Sequence, residues 1–95
     1  MDKKQQLLDY LEQNLFKPIL SAPYTSYQLK EDFLYVQQTI KDFSAQGILY
    51  YVWNILANKD IAPLMADRLN DEGFTSYNQI LNNFKTEFPY EWLTS

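Results

Sequence analysis

Near neutral pH this chain can offer chemistry only carboxylates, lysines and hydroxyls, because it has no histidine and no cysteine. That removes the commonest general base, the commonest transition-metal ligand and every thiolate. Ser–His and Cys–His nucleophile arrangements are therefore impossible. Two acidic pairs stand out, Glu31–Asp32 and Asp71–Glu72. Paired carboxylates can share acid and base work, as in glycoside hydrolysis, but they need a cleft between them. Glu31 and Asp32 fall near the start of an expected helix, where the dipole favours anions. Asp71 and Glu72 fall at a helix end beside Gly73, where it disfavours them. They read either as a solvated turn with an Arg68–Glu72 pair at i, i+4 or as a cation or partner site. Calcium loops present several oxygen ligands in sequence, and this segment does not. Two isolated glycines cannot form a phosphate-binding loop. The expectation is a protein that is not an enzyme, with no catalytic residue, no metal site and no cofactor.

The stretch "IAPLMADRLNDEGFTSYNQIL", residues 61–81, has the outline helix, glycine turn, capped helix. Within it, "MADRLNDEGFTSYNQIL" resembles the loose helix-turn-helix consensus of many bacterial DNA-binding segments. The resemblance covers about a fifth of the chain and implies a recognition helix that exposes Gln79, Asn82, Asn83 and Thr86. Asn and Gln can read adenine edges. Phosphates, however, would meet only Lys85 and Arg68 nearby, while Asp67, Asp71, Glu72 and Glu87 would repel them. The charge thus argues against nucleic acid as a partner and for an ordinary helix hairpin.

Composition points the same way. With 8 basic and 12 acidic residues the net charge is −4, and a single arginine leaves little bidentate phosphate recognition. Frequent Lys, Asn, Ile, Tyr and Phe with scarce Gly and Arg suggest AT-rich codons, as in a low-GC bacterium or its phage. The N-terminal "MDKKQQLLDYLEQ" has no apolar core after its lysines, so no signal peptide is expected. The run "GILYYVWNILA", residues 47–57, is 11 residues long, well short of the ~20 that cross a bilayer. A cytoplasmic home with no membrane partner is the expectation.

The elements that must position these residues read as helices throughout. Across 95 residues the pattern predicts an all-α fold, a compact single-domain bundle of four to five short helices. The first helix spans about Lys3 to Phe16, with Leu7, Leu8, Leu11 and Leu15 on its inner face, and Pro18 ends it. A second starts near "YTSYQL", capped by Thr25 or Ser26, and buries Leu29, Phe33, Val36, Ile40 and Phe43. Ser44 caps a third, whose apolar arc holds Ile48, Leu49, Val52, Trp53, Ile55 and Leu56. Asp60 caps a fourth, with Pro63 in its first turn; Ile61, Leu64, Met65 and Leu69 face inward and Gly73 stops it. Thr75 or Ser76 caps a fifth, with Tyr77, Ile80, Leu81, Phe84 and Phe88 inward. Pro89 ends that helix, and Trp92 and Leu93 fold back on the bundle.

Aromatic residues make up 17% of the chain, with eight tyrosines. Tyrosine suits interfaces because it offers contact area and a polar tip. Tyr27 and Leu34 lie off the second helix's seam, and Tyr50, Tyr51 and Asn54 flank the third helix's apolar arc. These five are the candidate partner-binding residues of a small non-catalytic protein–protein interaction module, an adaptor or inhibitor. The partner would be another, unidentified protein or a second copy of this chain. The alternatives are the helix-turn-helix DNA binder and a phage-type inhibitor that mimics nucleic acid with acidic groups. Clustering of acids on one face would be the signature of that mimicry.

Overall fold

Two of the helices contain a widened π turn, and these turns decide which side chains reach the core. The computed structural model describes residues 2–23 and 25–94. Helix α1 (Lys3–Leu11) continues through a π-helical stretch (Glu12–Phe16) into α2 (Lys17–Ser21). The Asp2 side chain caps it by accepting the Gln5 N–H at 2.7 Å. Pro18 does not end this helix. The Lys17 N–H reaches back five residues to the Glu12 carbonyl, so the turn before the proline is wide. Pro18 then enters in the first turn of α2, where its ring and missing N–H cost least. The wide turn also retards the rotation of all that follows, and Phe16 and Ile19 enter the core beside Leu7, Leu11 and Leu15 while Leu8 is only partly buried.

Helix α3 (Tyr27–Ile40) starts at Ser26, whose hydroxyl accepts the Leu29 N–H at 3.3 Å. The expected start near Tyr24 lies outside the described residues. Thr25 does not cap; it is buried, with its hydroxyl unpartnered. Gln28 does not complete a capping box either, because its amide bonds Asp32 one turn on. Leu29, Phe33 and Ile40 are buried, and Val36 packs at the edge of the core.

Helix α4 (Ala45–Tyr51) is capped by Ser44 and passes into a second π stretch (Val52–Leu56). The Ala57 N–H bonds the Val52 carbonyl at 2.7 Å. The retarded rotation carries Leu56 and Ala57 inward and turns Ile55 outward, against the expected burial of Ile55. Trp53 is half-buried.

Helix α5 (Ala62–Asp71) is not capped by Asp60. The Asn58 side chain accepts the Asp60 N–H at 2.8 Å and its carbonyl accepts the Ala62 N–H, so an Asn-centred turn organises this entry. Leu69 and Ala66 face the core with Met65 at the margin; Ile61 and Leu64 do not. A helix at the edge of the bundle has only a narrow arc covered, and these two fall beside it. Gly73, with φ 93°, closes α5. The Phe74 N–H bonds the Leu69 carbonyl at 2.9 Å and the Gly73 N–H bonds the Asn70 carbonyl at 3.1 Å, the paired bonds of a Schellman end.

Helix α6 (Tyr77–Glu87) begins without a side-chain cap, because Ser76 at φ −102°, ψ 4° is not extended as a cap requires. Its inner face, Tyr77, Leu81, Phe84 and then Phe88, is buried as the spacing predicts. A 3₁₀ turn (Tyr90–Thr94) follows, and Trp92 and Leu93 pack back on the core. All the helices contribute to one apolar cluster. The architecture is a small all-α bundle, 77% helical and without a strand among the described residues. No helix among the described residues is long and apolar enough to cross a membrane.

Candidate interaction surface

The five candidate residues fall into three settings. Tyr27 and Leu34 share the outward stripe of α3, two turns apart, and Tyr27 is 77% exposed. The Tyr27 hydroxyl bonds Glu31 one turn on, and this bond above all raises the phenol's pKa. Tyr50 and Asn54 face the C-terminal turn. The Tyr90 hydroxyl donates to Asn54 Oδ1 at 3.2 Å, and the Tyr50 and Tyr90 rings meet edge to face at 5.7 Å. Tyr51 turns another way. It packs on Phe43 at 5.9 Å, and burial, with the neighbouring Tyr35, raises its phenol pKa.

The Tyr50 side is occupied by the protein's own tail. Trp53 stacks on Tyr90 at 4.4 Å and donates its indole N–H to the Phe88 carbonyl at 3.0 Å. Lys85 lies over the Trp53 ring at 5.0 Å and reaches the Ala57 carbonyl. Further along, the Lys3 ammonium donates to the Trp92 carbonyl at 2.6 Å and covers the Trp92 ring, which meets Phe88 edge-on. The tail is thereby pinned at both ends.

Sequence spacing alone missed Tyr35, Ile55, Ile61 and Leu64. Tyr35 is 69% exposed and Leu64 67%. Tyr35 could have been found, since it sits off the α3 seam next to Leu34. Ile55 could not, because its exposure depends on a π turn.

Of the acidic pair at the end of α5, Glu72 finds its use inside the molecule. Arg68 does not pair with Glu72; it bridges to Asp32 of α3 at 3.2 Å. Glu72 instead accepts the Ser26 N–H at 3.1 Å. Both cations that a DNA-binding α6 would need are thus engaged, Arg68 by Asp32 and Lys85 by Ala57 and Trp53. Gln79, Asn82, Asn83 and Thr86 are exposed on α6. Among the described residues no three carboxylates converge as a metal would require.

Two open clefts lie on the surface beside α1. One, of about 210 Å³ between α1 and α3, has an apolar floor of Leu8 and Phe16. Its carboxylates, Asp9 and Glu12, accept from Gln5 at 2.8 Å and Gln37 at 2.5 Å. The other, of about 360 Å³ between α1 and α6, is polar and carries a single carboxylate, Glu87. Glu87 and burial raise the Tyr10 pKa, burial more.

No protein-family model, curated protein or solved structure matches the chain.

Proposed function

We propose that this chain is a non-catalytic protein-interaction module, of adaptor or inhibitor type, working inside the cell. The observation that carries this reading is the exposure of large apolar side chains over a core that is already filled. Tyr27, Tyr35 and Leu64 stand mostly in water while Phe33 on α3, Leu69 on α5 and Tyr77 on α6 are buried. Neighbouring exposed apolar groups on a small domain mark surfaces that another molecule covers. Tyr50 and Asn54 are engaged by Tyr90 of the chain's own tail, so the contact surface centres on Tyr27, Leu34 and Tyr35 of α3.

A photo-crosslinking residue placed at Tyr27, Leu34 or Tyr35, in turn, tests this in the organism that carries the gene. Discrete covalent adducts are expected from these positions and none from Gln79 on α6. Absence of adducts from all three would refute the reading.

A further inference from the structure

We infer that the seam between α3 and α5 docks a cationic amphipathic helix from another protein. The inference rests on the interaction-module reading and names the partner's chemistry.

The seam is apolar and partly open. A dimple of about 30 Å³ lies between the two helices, floored by Phe33, Val36, Leu56 and Met65, with Asp32 at its end. Tyr35, 69% exposed, is next in sequence to Val36 on α3, and Leu64, 67% exposed, is next to Met65 on α5. Ile61 stands one turn before Leu64 and Met65 and is also exposed. At the start of α5 Ile61, Leu64 and Met65 span just over one turn, and on α3 Phe33, Tyr35 and Val36 span just under one. Anchors of that span receive apolar side chains spaced i, i+3 or i+4 on one helix.

Charge selects among the occupants. Arg68, beside the seam, is paired with Asp32. Within one turn of these two residues and of Ile61 along the chain, the exposed Glu31, Asp60, Asp67 and Asp71 outnumber Lys30 and Lys59. A second copy joined by a two-fold axis would set this acidic rim against itself, and juxtaposed like charges suppress association. An anionic membrane surface would be repelled for the same reason. A helix with a leucine stripe and lysine flanks meets both features, apolar on apolar and positive on negative.

The test uses two synthetic peptides of about 18 residues, enough for five helical turns. They share a leucine stripe; one carries lysine and the other glutamate at every remaining position. Each is titrated into the full chain by calorimetry and by amide NMR. The lysine peptide is expected to bind, with the largest shifts at residues 35, 36, 61, 64 and 65. The glutamate peptide should bind at least tenfold more weakly. The informative variant is Leu64→Asp, at a position exposed enough to leave folding intact. It adds negative charge, so simple charge attraction would tighten the lysine peptide, whereas docking in the seam predicts at least tenfold weaker binding. Tighter binding by Leu64→Asp, equal binding of the two peptides, or no binding of the lysine peptide would each overturn the inference. So would a dimer in sedimentation that Leu64→Asp returns to monomer. If the peptides fail while crosslinks still form at Tyr35, the cationic helix falls and the module reading stands. Loss of the crosslinks removes the module reading itself.

Discussion

The Glu72 carboxylate, in the turn that ends α5, accepts the backbone N–H of Ser26, the residue that caps α3. These residues are 46 positions apart. A local capping box would fill this role with the residue three positions on; here a distant carboxylate fills it and brings negative charge to the positive end of α3. Arg68 and Asp32 make a second tie between the same two helices.

Glu72→Ala should therefore destabilise the domain by about 1–2 kcal/mol, as losing a helix cap does. Glu72→Gln keeps an acceptor and loses the charge, so it should cost less. Urea denaturation with unchanged m-values checks both: a Glu72→Gln variant as stable as the wild type would remove the charge from the account, and equal losses in the two variants would leave the neutral hydrogen bond no part of its own.

Arg68→Ala should matter far less. Both partners of this ion pair are more than a third exposed, and such pairs contribute about 0–1 kcal/mol. A double-mutant cycle with Asp32→Ala measures the coupling, and a value above ~1 kcal/mol would show that the tie is stronger than its exposure implies.

Alkaline pH should weaken the fold through Tyr77. Its hydroxyl is buried and donates to the Leu56 carbonyl at 2.8 Å, and burial raises its pKa above the ordinary value of 10.0. A phenol that resists ionisation in the folded state stabilises fully below its unfolded pKa. Above that the unfolded chain ionises and the folded chain does not, so stability falls by up to about 1.4 kcal/mol per pH unit until the folded pKa is reached. Melts of the wild type and Tyr77→Phe from pH 8 to pH 11 should converge as pH rises past 10. Parallel curves would contradict the assignment. At pH 8, Tyr77→Phe should cost about 1 kcal/mol for the lost hydrogen bond.

Trp53→Ala should cost about 2–4 kcal/mol, at or below the range for a fully buried indole because this one is half-buried. The loss should be shared with the tail, since Trp53 holds Phe88 and Tyr90. Removing residues 89–95 should lower Tm by several degrees and leave Trp53→Ala with a smaller additional effect. Fully additive losses would mean that the tail and the indole act separately.

The helices and most of their buried faces were legible in the sequence. Leu29, Phe33 and Ile40, or Tyr77, Leu81 and Phe84, keep the ordinary helical period and are buried as that period predicts. Ser44 caps and Gly73 stops helices by local backbone chemistry, which short motifs record. Pro18, Ile55 and Ala57 were not legible, because a π turn shifts the phase and no residue type announces one. Leu64 has the right spacing for burial but belongs to an edge helix, and only the arrangement of neighbours shows which arc is covered. The candidate surface was legible in part. Tyr27 and Leu34 stand out in solvent, while Tyr50 and Asn54 meet a tail whose path depends on tertiary contacts.

Each π turn amounts to one surplus residue lodged in an otherwise regular coil. A homologue one residue shorter between positions 52 and 56 would keep Ile48 and Val52 in place before the gap and its counterpart of Ala57 in place after it, and would lose only the bulge that turns Ile55 to the water. Matching such a chain to this one by its apolar pattern would need a single gap inside an unbroken helix.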